Sequence, residues 1–242
     1  MSTLYVVRHG QARLFTDDYD RLSPTGYEQA RALGRFWSER NVRVDHAWTG
    51  ALVRQRETAR MIAESFRSAG IDFPEVASDD GFDEYPAEQI VAGFGRHLCA
   101  TDSAIAQLAE SLDRQQSEES RYRDHHRFLE AVIGCWFAED YRGYEIGANE
   151  RSYADWRNGL EVAFRGALRA AGRGSTTIIV TSGGVIGTLV QTVLRAPTAA
   201  AAELNWRVHN ASVTQFTFSG SRISLDRFND VAHLAPSELT YR

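Results

Sequence analysis

Near its start the chain reads Leu4-Tyr5-Val6-Val7-Arg8-His9-Gly10. The first four residues are a short apolar run, typical of a strand that is buried on both faces. Arg8 and His9 follow this run at once, so we expect them at the C-terminal end of the strand. In open α/β sheets that end of the strands is the edge where ligands bind. The stretch therefore predicts an α/β fold with a candidate binding site at Arg8-His9-Gly10.

Helical and strand patterns alternate along most of the chain. Helices are predicted over residues 25–40, 52–66, 151–172 and 185–194, and strands over residues 4–7, 46–48, 177–181, 211–219 and 222–228. Strands separated by helices favour a parallel sheet, whereas Ser219-Gly220-Ser221 is the turn of a hairpin between the last two strands. We predict a three-layer α/β sandwich with a mostly parallel central sheet and helices on both faces.

Residues 86–150 differ in character, because helical patterns and charged residues dominate there. The chain has no internal repeat, and no linker rich in Pro or Gly divides it. We therefore predict a single domain over residues 1–242 with a largely helical insertion at about 86–150. The charged run Gln115–Ser120 is expected to form a solvated face of this insertion.

Composition and charge exclude several classes of protein. The chain has 242 residues, of which 43% are hydrophobic, and a formal net charge of -5, so we expect a globular protein without nucleic-acid or membrane partners. Cys99 and Cys135 are too few for a disulfide scaffold, which indicates a reducing compartment. No signal peptide and no apolar run of ~18 residues is visible, so we expect a cytoplasmic protein.

Three segments carry residues that suit an anion such as phosphate. Arg8 follows the first strand, and Arg54 lies five residues past Thr49, at the end of the second strand. Two arginines can fork onto the oxygens of a dianion. Ser182-Gly183-Gly184 marks a strand turning into a helix, where backbone N–H groups bind anions and glycines let a ligand approach. These features predict a phosphoryl-binding pocket.

Two further side chains suit the chemistry of phosphoryl transfer. His9 is a candidate nucleophile, because a neutral imidazole can accept a phosphoryl group. Glu84 lies on a loop and can protonate the oxygen of a leaving group. Asp83 is its main rival for that role, although a residue of this type in a turn commonly bonds the local backbone instead.

The order of all these segments resembles the histidine phosphatase superfamily, also called the phosphoglycerate-mutase-like fold. The matching stretches are Val7-Arg8-His9-Gly10-Gln11-Ala12, Leu22-Ser23-Pro24-Thr25-Gly26 with Glu28-Gln29-Ala30, Thr49-Gly50-Ala51-Leu52-Val53-Arg54 with Thr58-Ala59, Phe82-Asp83-Glu84, Val180-Thr181-Ser182-Gly183-Gly184-Val185-Ile186, and Phe228-Asn229-Asp230 with His233-Leu234. Together they span most of the chain apart from the insertion.

The resemblance implies a role for each matching residue. His9 looks like the nucleophile that forms a phosphohistidine, and Arg8 and Arg54 look like the arginines that clamp the phosphate. Glu84 looks like the proton donor to the leaving group, while Gln11 is close enough in sequence to line the pocket. Ser182 and Gly183 belong to the same phosphate-binding set. The implied ligand is a small phosphorylated substrate or inorganic phosphate.

We expect no cofactor and no metal. The adjacent pair His125-His126 lacks the i, i+4 spacing of two metal ligands on one helix face.

One departure from the family pattern concerns Ser182. Members usually carry a second catalytic histidine directly before the Gly-Gly pair, and here Ser182 occupies that position. A hydrogen bond to a charged group contributes ~1.5–3 kcal/mol, against about 1 kcal/mol for a neutral one. Losing that difference in the transition state slows a reaction roughly ten-fold or more. Either the site is slow, or another cation such as His209 or His233 replaces the charge, or the site only binds.

Three functions therefore compete. The leading hypothesis is a phosphatase acting on a small phosphomonoester through a phosphohistidine at His9. The runner-up is a phosphate-binding pseudoenzyme, which Ser182 favours. A mutase is the third, but nothing in the sequence indicates the closed pocket that shields a phosphoenzyme from water. The sequence predicts neither the identity of the substrate nor the oligomeric state.

Overall fold

The computed structural model describes residues 1–13, 20–112, 114 and 117–241, without the side chain of Glu118. The chain forms two compact units. The sheet unit comprises Met1–Glu84 and Gly159–Arg242, and the insertion unit comprises Tyr85–Asn158. The charged run expected to face solvent falls partly outside the described residues, at Gln115 and Gln116.

The sheet unit is built around a mixed sheet. Its described strands are β1 (Ser2–Arg8), β2 (His46–Thr49), β3 (Val76–Ser78), β4 (Thr176–Thr181), β5 (Val213–Ser219) and β6 (Arg222–Asp230). They lie in the order β3-β2-β4-β1-β5-β6. The first four in this order are parallel, and β5 and β6 add an antiparallel hairpin beside β1. The predicted mostly parallel sheet is confirmed.

Strand β1 holds the central position that its apolar sequence requires. Leu4, Val6 and Val7 are fully buried. The strand pairs in parallel with β4, and this register places Arg8 opposite Thr181. The backbone N–H of His9 then donates to the carbonyl oxygen of Thr181 over 2.8 Å. The two strands therefore deliver His9 and Ser182 side by side at one edge of the sheet.

Helices cover both faces of the sheet, as predicted. The helices of this part of the chain are α1 (Pro24–Glu39), α2 (Val53–Ser68), α7 (Tyr153–Ala170), α8 (Gly183–Leu194) and α9 (Ala199–Asn205). Leu33, Trp37, Ile62 and Phe66 of α1 and α2 pack on the sheet side chains Val7, Ile178, Val180 and Val213. Helix α8 packs against β1 and β6, and α9 packs on α8.

The ends of two helices have local causes. Helix α1 begins at Pro24 because Ser23 caps it, its hydroxyl accepting from the N–H of Gly26 over 3.1 Å. Helix α8 begins at Gly183, two residues earlier than predicted, because Ser182 is the extended residue that precedes the first turn. Gly183 and Gly184 therefore form the N-terminus of α8, where backbone N–H groups have no partner within the helix.

The insertion unit is largely helical, as predicted. It contains α3 (Ala87–Ile90), a π-helical turn (Val91–Gly95), α4 (Arg96–Thr101), α5 (Ser103–Leu112), α6 (Glu118–Phe137) and the start of α7. Its core is aromatic, because the rings of Tyr85, Trp136, Phe137, Tyr153 and Trp156 contact one another. No helix in the described parts of the chain is long and apolar enough to cross a membrane.

Candidate active site

His9 directly follows β1, and its ring is held in one tautomer. The Nδ1 atom lies 2.7 Å from the carbonyl oxygen of Gly10. A carbonyl can only accept a hydrogen bond, so Nδ1 carries the proton and Nε2 keeps its lone pair. The Nε of Arg54 donates to this Nε2 over 3.2 Å. His9 as a whole residue is 5% exposed, so its Nε2 lies in a buried environment.

Two positive charges and burial keep this imidazole neutral. Burial has the largest effect, followed by the charges of Arg54 and Arg8, and together they hold the pKa of His9 well below its usual 6.5. The hydrogen bond to Gly10 acts in the opposite direction without reversing the shift. A neutral imidazole is the form that can attack phosphorus.

The backbone around His9 is fixed on several sides. Its carbonyl oxygen accepts from the N–H of Ala211 over 3.1 Å and from the side-chain amide of Asn210 over 3.4 Å. The N–H of Gly10 donates to the hydroxyl of Thr58 over 3.0 Å. A Cβ at Gly10 would lie 2.3 Å from the carbonyl oxygen of Gly26, so only glycine allows this close approach of backbones.

Both predicted phosphate-binding arginines are buried beside His9. Arg8 is 9% exposed, and its Nη1 donates to the carbonyl oxygen of Val208. Arg54 is 7% exposed and sits in the first turn of α2. Its Nη1 forms an ion pair with Asp20 over 2.7 Å, while its Nε faces His9. The structure thus brings Arg8, His9 and Arg54 together at one edge of the sheet.

Asp20 was not identified from the sequence. One carboxylate oxygen accepts from the backbone N–H of Val53 over 2.8 Å, and the other accepts from Nη1 of Arg54. The residue in the N-cap position of α2, Leu52, has no side chain that can cap the helix. Asp20 therefore serves as a distant cap for α2 and holds the Arg54 side chain at the same time.

Ser182 is fully buried between β4 and α8. Its hydroxyl oxygen accepts from Nε2 of Gln55 over 2.9 Å, a partner that the sequence did not suggest. Gly183 follows as the first residue of α8 and packs closely against Asn205, whose Oδ1 lies 2.9 Å from the position of a Cβ at Gly183. Both residues of this predicted set therefore lie at the N-terminus of α8, next to His9.

The two carboxylates of the loop before the insertion make different contacts. Oε2 of Glu84 accepts from the backbone N–H of Gly184 over 3.1 Å, so this carboxylate reaches the start of α8. Asp83 instead accepts from the N–H groups of Ala51 and Leu52, over 2.6 and 3.3 Å. Burial raises the pKa of the Asp83 carboxyl, and these two hydrogen bonds partly offset the rise. Asp83 thus holds one loop to another.

Gln11 is turned toward the start of α1. Its side-chain oxygen accepts from the hydroxyl of Ser23 over 2.7 Å. Its backbone N–H donates to Oε1 of Gln29 over 2.9 Å. These contacts fix the loop that follows His9.

His209 and His233 both make structural contacts within the sheet unit. The ring of His209 stacks on Tyr241, with ring centres 4.1 Å apart, and its Nδ1 pairs with the amide of Asn229. The ring of His233 packs near Phe36, and burial lowers the pKa of His233 to about 4. Across the described ranges, no group of three or more His, Cys, Asp or Glu side chains is arranged to hold a metal ion.

Solved structures of related fold include two phosphatases and a mutase. A mutant phosphoserine phosphatase from Entamoeba histolytica, in complex with phosphoserine, is 20% identical with a TM-score of 0.60, over 97% of this chain and 100% of that one. A phosphoglycerate mutase from Bacillus anthracis is 18% identical with a TM-score of 0.62, over 96% and 94%. A mycobacterial glucosyl-3-phosphoglycerate phosphatase with inorganic phosphate is 21% identical with a TM-score of 0.58, over 96% and 99%.

The sequence comparisons give a family but no individual relative. No curated protein sequence matches this chain significantly. The family model described as Histidine phosphatase superfamily (branch 1) matches residues 4–93 and 100–231, which is most of the chain. The chain therefore belongs to the histidine phosphatase superfamily.

Proposed function

We propose that this chain is a phosphatase that hydrolyses a small phosphomonoester through a phosphohistidine at Nε2 of His9. The observation that carries the proposal is the 2.7 Å contact between Nδ1 of His9 and the carbonyl oxygen of Gly10, which assigns the proton to Nδ1. Its Nδ1 proton is directed to the carbonyl of Gly10, which leaves the lone pair of Nε2 to attack. Burial and the two arginines keep the pKa of His9 low, so this lone pair is present at neutral pH.

The binding half of the proposal rests on charge and on the helix N-terminus. A phosphoryl dianion needs more than one counter-charge, and Arg8 and Arg54 both lie close enough to His9 to depress its pKa. The N–H of Gly183 at the start of α8 adds a backbone donor for a phosphoryl oxygen. Phosphate or sulfate soaked into crystals is expected within hydrogen-bond distance of both guanidinium groups. An anion bound elsewhere, with both arginines uninvolved, contradicts this pocket.

The chemistry proceeds in two displacements. In the first, Nε2 of His9 forms a bond to phosphorus while the bond from phosphorus to the leaving oxygen breaks, and protonated Glu84 gives its proton to that oxygen. In the second, water attacks the phosphohistidine and the P–N bond breaks. Glu84 then takes a proton from the attacking water and returns to its acid form. Oε2 of Glu84 accepts from the N–H of Gly184, which places this carboxyl at the start of α8, where the phosphoryl group is expected to bind.

The substrate class is a small phosphorylated molecule. Two solved structures of the same fold support this class, one a phosphoserine phosphatase with phosphoserine and the other a glucosyl-3-phosphoglycerate phosphatase with inorganic phosphate.

A second candidate function is a protein that binds phosphate without turning a substrate over. Ser182 is the observation that favours it, because a neutral hydroxyl stands at the strand end next to His9. The carboxyl group of Glu84 lies beside the start of α8 and favours the phosphatase instead, because a protein that only binds phosphate has no use for a proton donor.

The test measures phosphate release from a panel of phosphomonoesters by the parent protein and by His9→Ala. We expect release by the parent only, and mass spectrometry after rapid mixing with an aryl phosphate should find one added phosphoryl group at His9. His97→Ala is the matched control, since this ring lies in the insertion unit and bonds the carbonyl oxygen of Arg142. Unchanged turnover in His9→Ala contradicts the mechanism, and tight phosphate binding without any turnover favours the binding protein.

A further inference from the structure

The side-chain amide of Gln55 is oriented by a backbone carbonyl. Its Nε2 donates to the carbonyl oxygen of Phe82 over 3.1 Å and to the hydroxyl oxygen of Ser182 over 2.9 Å. A carbonyl oxygen can only accept, so the atom facing Phe82 must be the nitrogen of the amide. The same nitrogen faces Ser182, and Ser182 must therefore act as the acceptor in this pair.

This arrangement leaves the proton of the Ser182 hydroxyl for another acceptor. Ser182 and Gln55 are both fully buried. Throughout the described residues, the Ser182 hydroxyl makes this one hydrogen bond, and it makes it as an acceptor. A hydroxyl has one proton to donate, and leaving it unbonded in a buried site costs about 1–3 kcal/mol. A buried donor of this kind points to a ligand oxygen as its acceptor.

The position of Ser182 specifies that ligand oxygen. Ser182 follows β4 as His9 follows β1, and the two strands are paired at Arg8 and Thr181. Arg54 of α2 contacts His9, and the next residue of the helix, Gln55, contacts Ser182. The Ser182 hydroxyl therefore lies beside the place where His9 meets a phosphoryl group.

We propose that Gln55 is a positioning residue, which holds Ser182 so that its hydroxyl donates to a phosphoryl oxygen. The inference rests on the proposed function, because it requires the phosphoryl group to bind at His9. Positive charge comes from Arg8 and Arg54, and Ser182 supplies an oriented neutral donor. A donor already held in place needs no reorganisation when charge develops on the phosphoryl oxygens.

A double-mutant cycle tests this coupling. The variants are Ser182→Ala, Gln55→Met and the double variant, each in the full chain. The readouts are the affinity for orthovanadate and kcat/KM for an aryl phosphate. Gln55→Met removes a hydrogen bond between two neutral groups and should lose about 3- to 10-fold, whereas Ser182→Ala removes one to a charged phosphoryl oxygen and should lose about ten-fold or more. The double variant should lose no more affinity or kcat/KM than Ser182→Ala alone does, because Gln55 acts through Ser182.

Gln191→Met is the matched control for losing a buried amide. Gln191 is buried, and its Nε2 bonds the carbonyl of Ala196 beyond the far end of α8. This variant should lose stability without a change in vanadate affinity. Should Gln55→Met not fold, a crystal of the parent with vanadate gives a second test. The Ser182 oxygen should then lie within ~3.2 Å of a vanadate oxygen.

The possible outcomes separate this inference from the function itself. Three results would overturn the role of Gln55. The fold-losses of the two single variants could multiply in the double variant, or Ser182→Ala could match the parent in vanadate affinity and kcat/KM. In the crystal, every vanadate oxygen could lie beyond hydrogen-bond distance of the Ser182 oxygen. If the parent still releases phosphate in that case, the proposed function stands. A parent that neither releases phosphate nor binds vanadate overturns both. Since vanadate affinity needs no turnover, the cycle also decides the matter for a protein that only binds.

Discussion

The Nε–H of Arg54 points at Nε2 of His9 across 3.2 Å, while the other ring nitrogen faces the carbonyl of Gly10 at 2.7 Å. This pair is compatible with a neutral imidazole only. A proton on Nε2 would face the N–H of Arg54, and two donors cannot share one hydrogen bond. The contact between Arg54 and His9 therefore selects the form of the ring that a nucleophile needs.

The first prediction concerns the titration of His9. Its pKa lies well below 6.5 because of burial, then Arg54, then Arg8. The folded protein thus binds this proton less readily than the unfolded chain does. Stability from this group is fully present above about pH 6.5 and is lost as the pH falls toward the folded pKa. Histidine ring NMR of the protein without ligand, assigned with His9→Asn, should find His9 still neutral at pH 6.5. A midpoint at or above 6.5 contradicts this account.

His233 makes a second prediction about pH, in this case about stability alone. Burial lowers its pKa to about 4, against an ordinary 6.5, so the folded state again favours the neutral ring. The free energy of unfolding should fall between pH 6.5 and 4, by up to about 3 kcal/mol from this residue. In His233→Asn the slope across this window should flatten, as measured by urea unfolding at several pH values. Parallel curves for parent and variant would contradict the buried neutral ring.

Glu84 gives a prediction about leaving groups. Glu84→Gln keeps an oxygen that can accept from the N–H of Gly184, but it removes the transferable proton. Alkyl phosphates need that proton, so their kcat should fall ~10²-fold or more, whereas aryl phosphates should lose far less. Asp83→Asn is the control, because Asp83 bonds the backbone of Ala51 and Leu52 and should affect both substrate classes equally. Equal losses in Glu84→Gln would remove this residue from the acid role.

Thr240, near the end of the chain, should matter for both stability and turnover. Its hydroxyl accepts from Nε2 of Gln29 and donates to Oδ1 of Asn210, each over 2.9 Å. These two amides are fully buried, and they bond the backbone of Gln11 and His9 respectively. Thr240→Val removes one hydrogen bond from each amide and leaves the buried Oδ1 of Asn210 without this donor, so we expect a loss of about 1–3 kcal/mol in unfolding free energy and a several-fold lower kcat. Thr240→Ser keeps the hydroxyl and should behave like the parent, and equal effects of the two changes would argue against this network.

Local patterns were sufficient for most of the fold. The helices and strands predicted from periodicity end within two residues of their positions in the structure, because burial imposes the period of a helix or a strand on the sequence. One strand and one α-helix of the sheet unit, as the structure describes it, were not predicted. Strand β3 has three residues, Val76–Ser78, which is too short to display alternation. Helix α9, Ala199–Asn205, is mostly alanine, so it has helix propensity but almost no polar face to reveal its period.

The site was predictable only in part, for a related reason. Arg8, His9 and Ser182 could be placed together because neighbouring parallel strands end at the same edge. Asp20 and Gln55 were missed because their contacts, with Arg54 and with Ser182, join segments that sequence spacing does not relate. Gln55 had one usable signal, its position next to Arg54. Asp20 had no usable signal in the sequence, because a single carboxylate in a loop is an ordinary surface feature.

The last prediction returns a charge to the position of Ser182. Ser182→His should raise kcat about ten-fold, since a charged donor stabilises the transferring phosphoryl group more than a hydroxyl does. The new ring must fit against Gln55, so we expect it to cost about 1–3 kcal/mol of stability.

His209→Ala and His233→Ala are the controls for the Ser182→His variant. Their rings stack on Tyr241 and pack near Phe36, so both changes should leave kcat within a few-fold of the parent. Initial rates on one aryl phosphate, with vanadate affinity measured alongside, decide among the outcomes. A large loss in either control would mean that this histidine supplies the charge. A folded Ser182→His variant that binds vanadate yet turns over more slowly would mean that the site is fitted to a neutral donor.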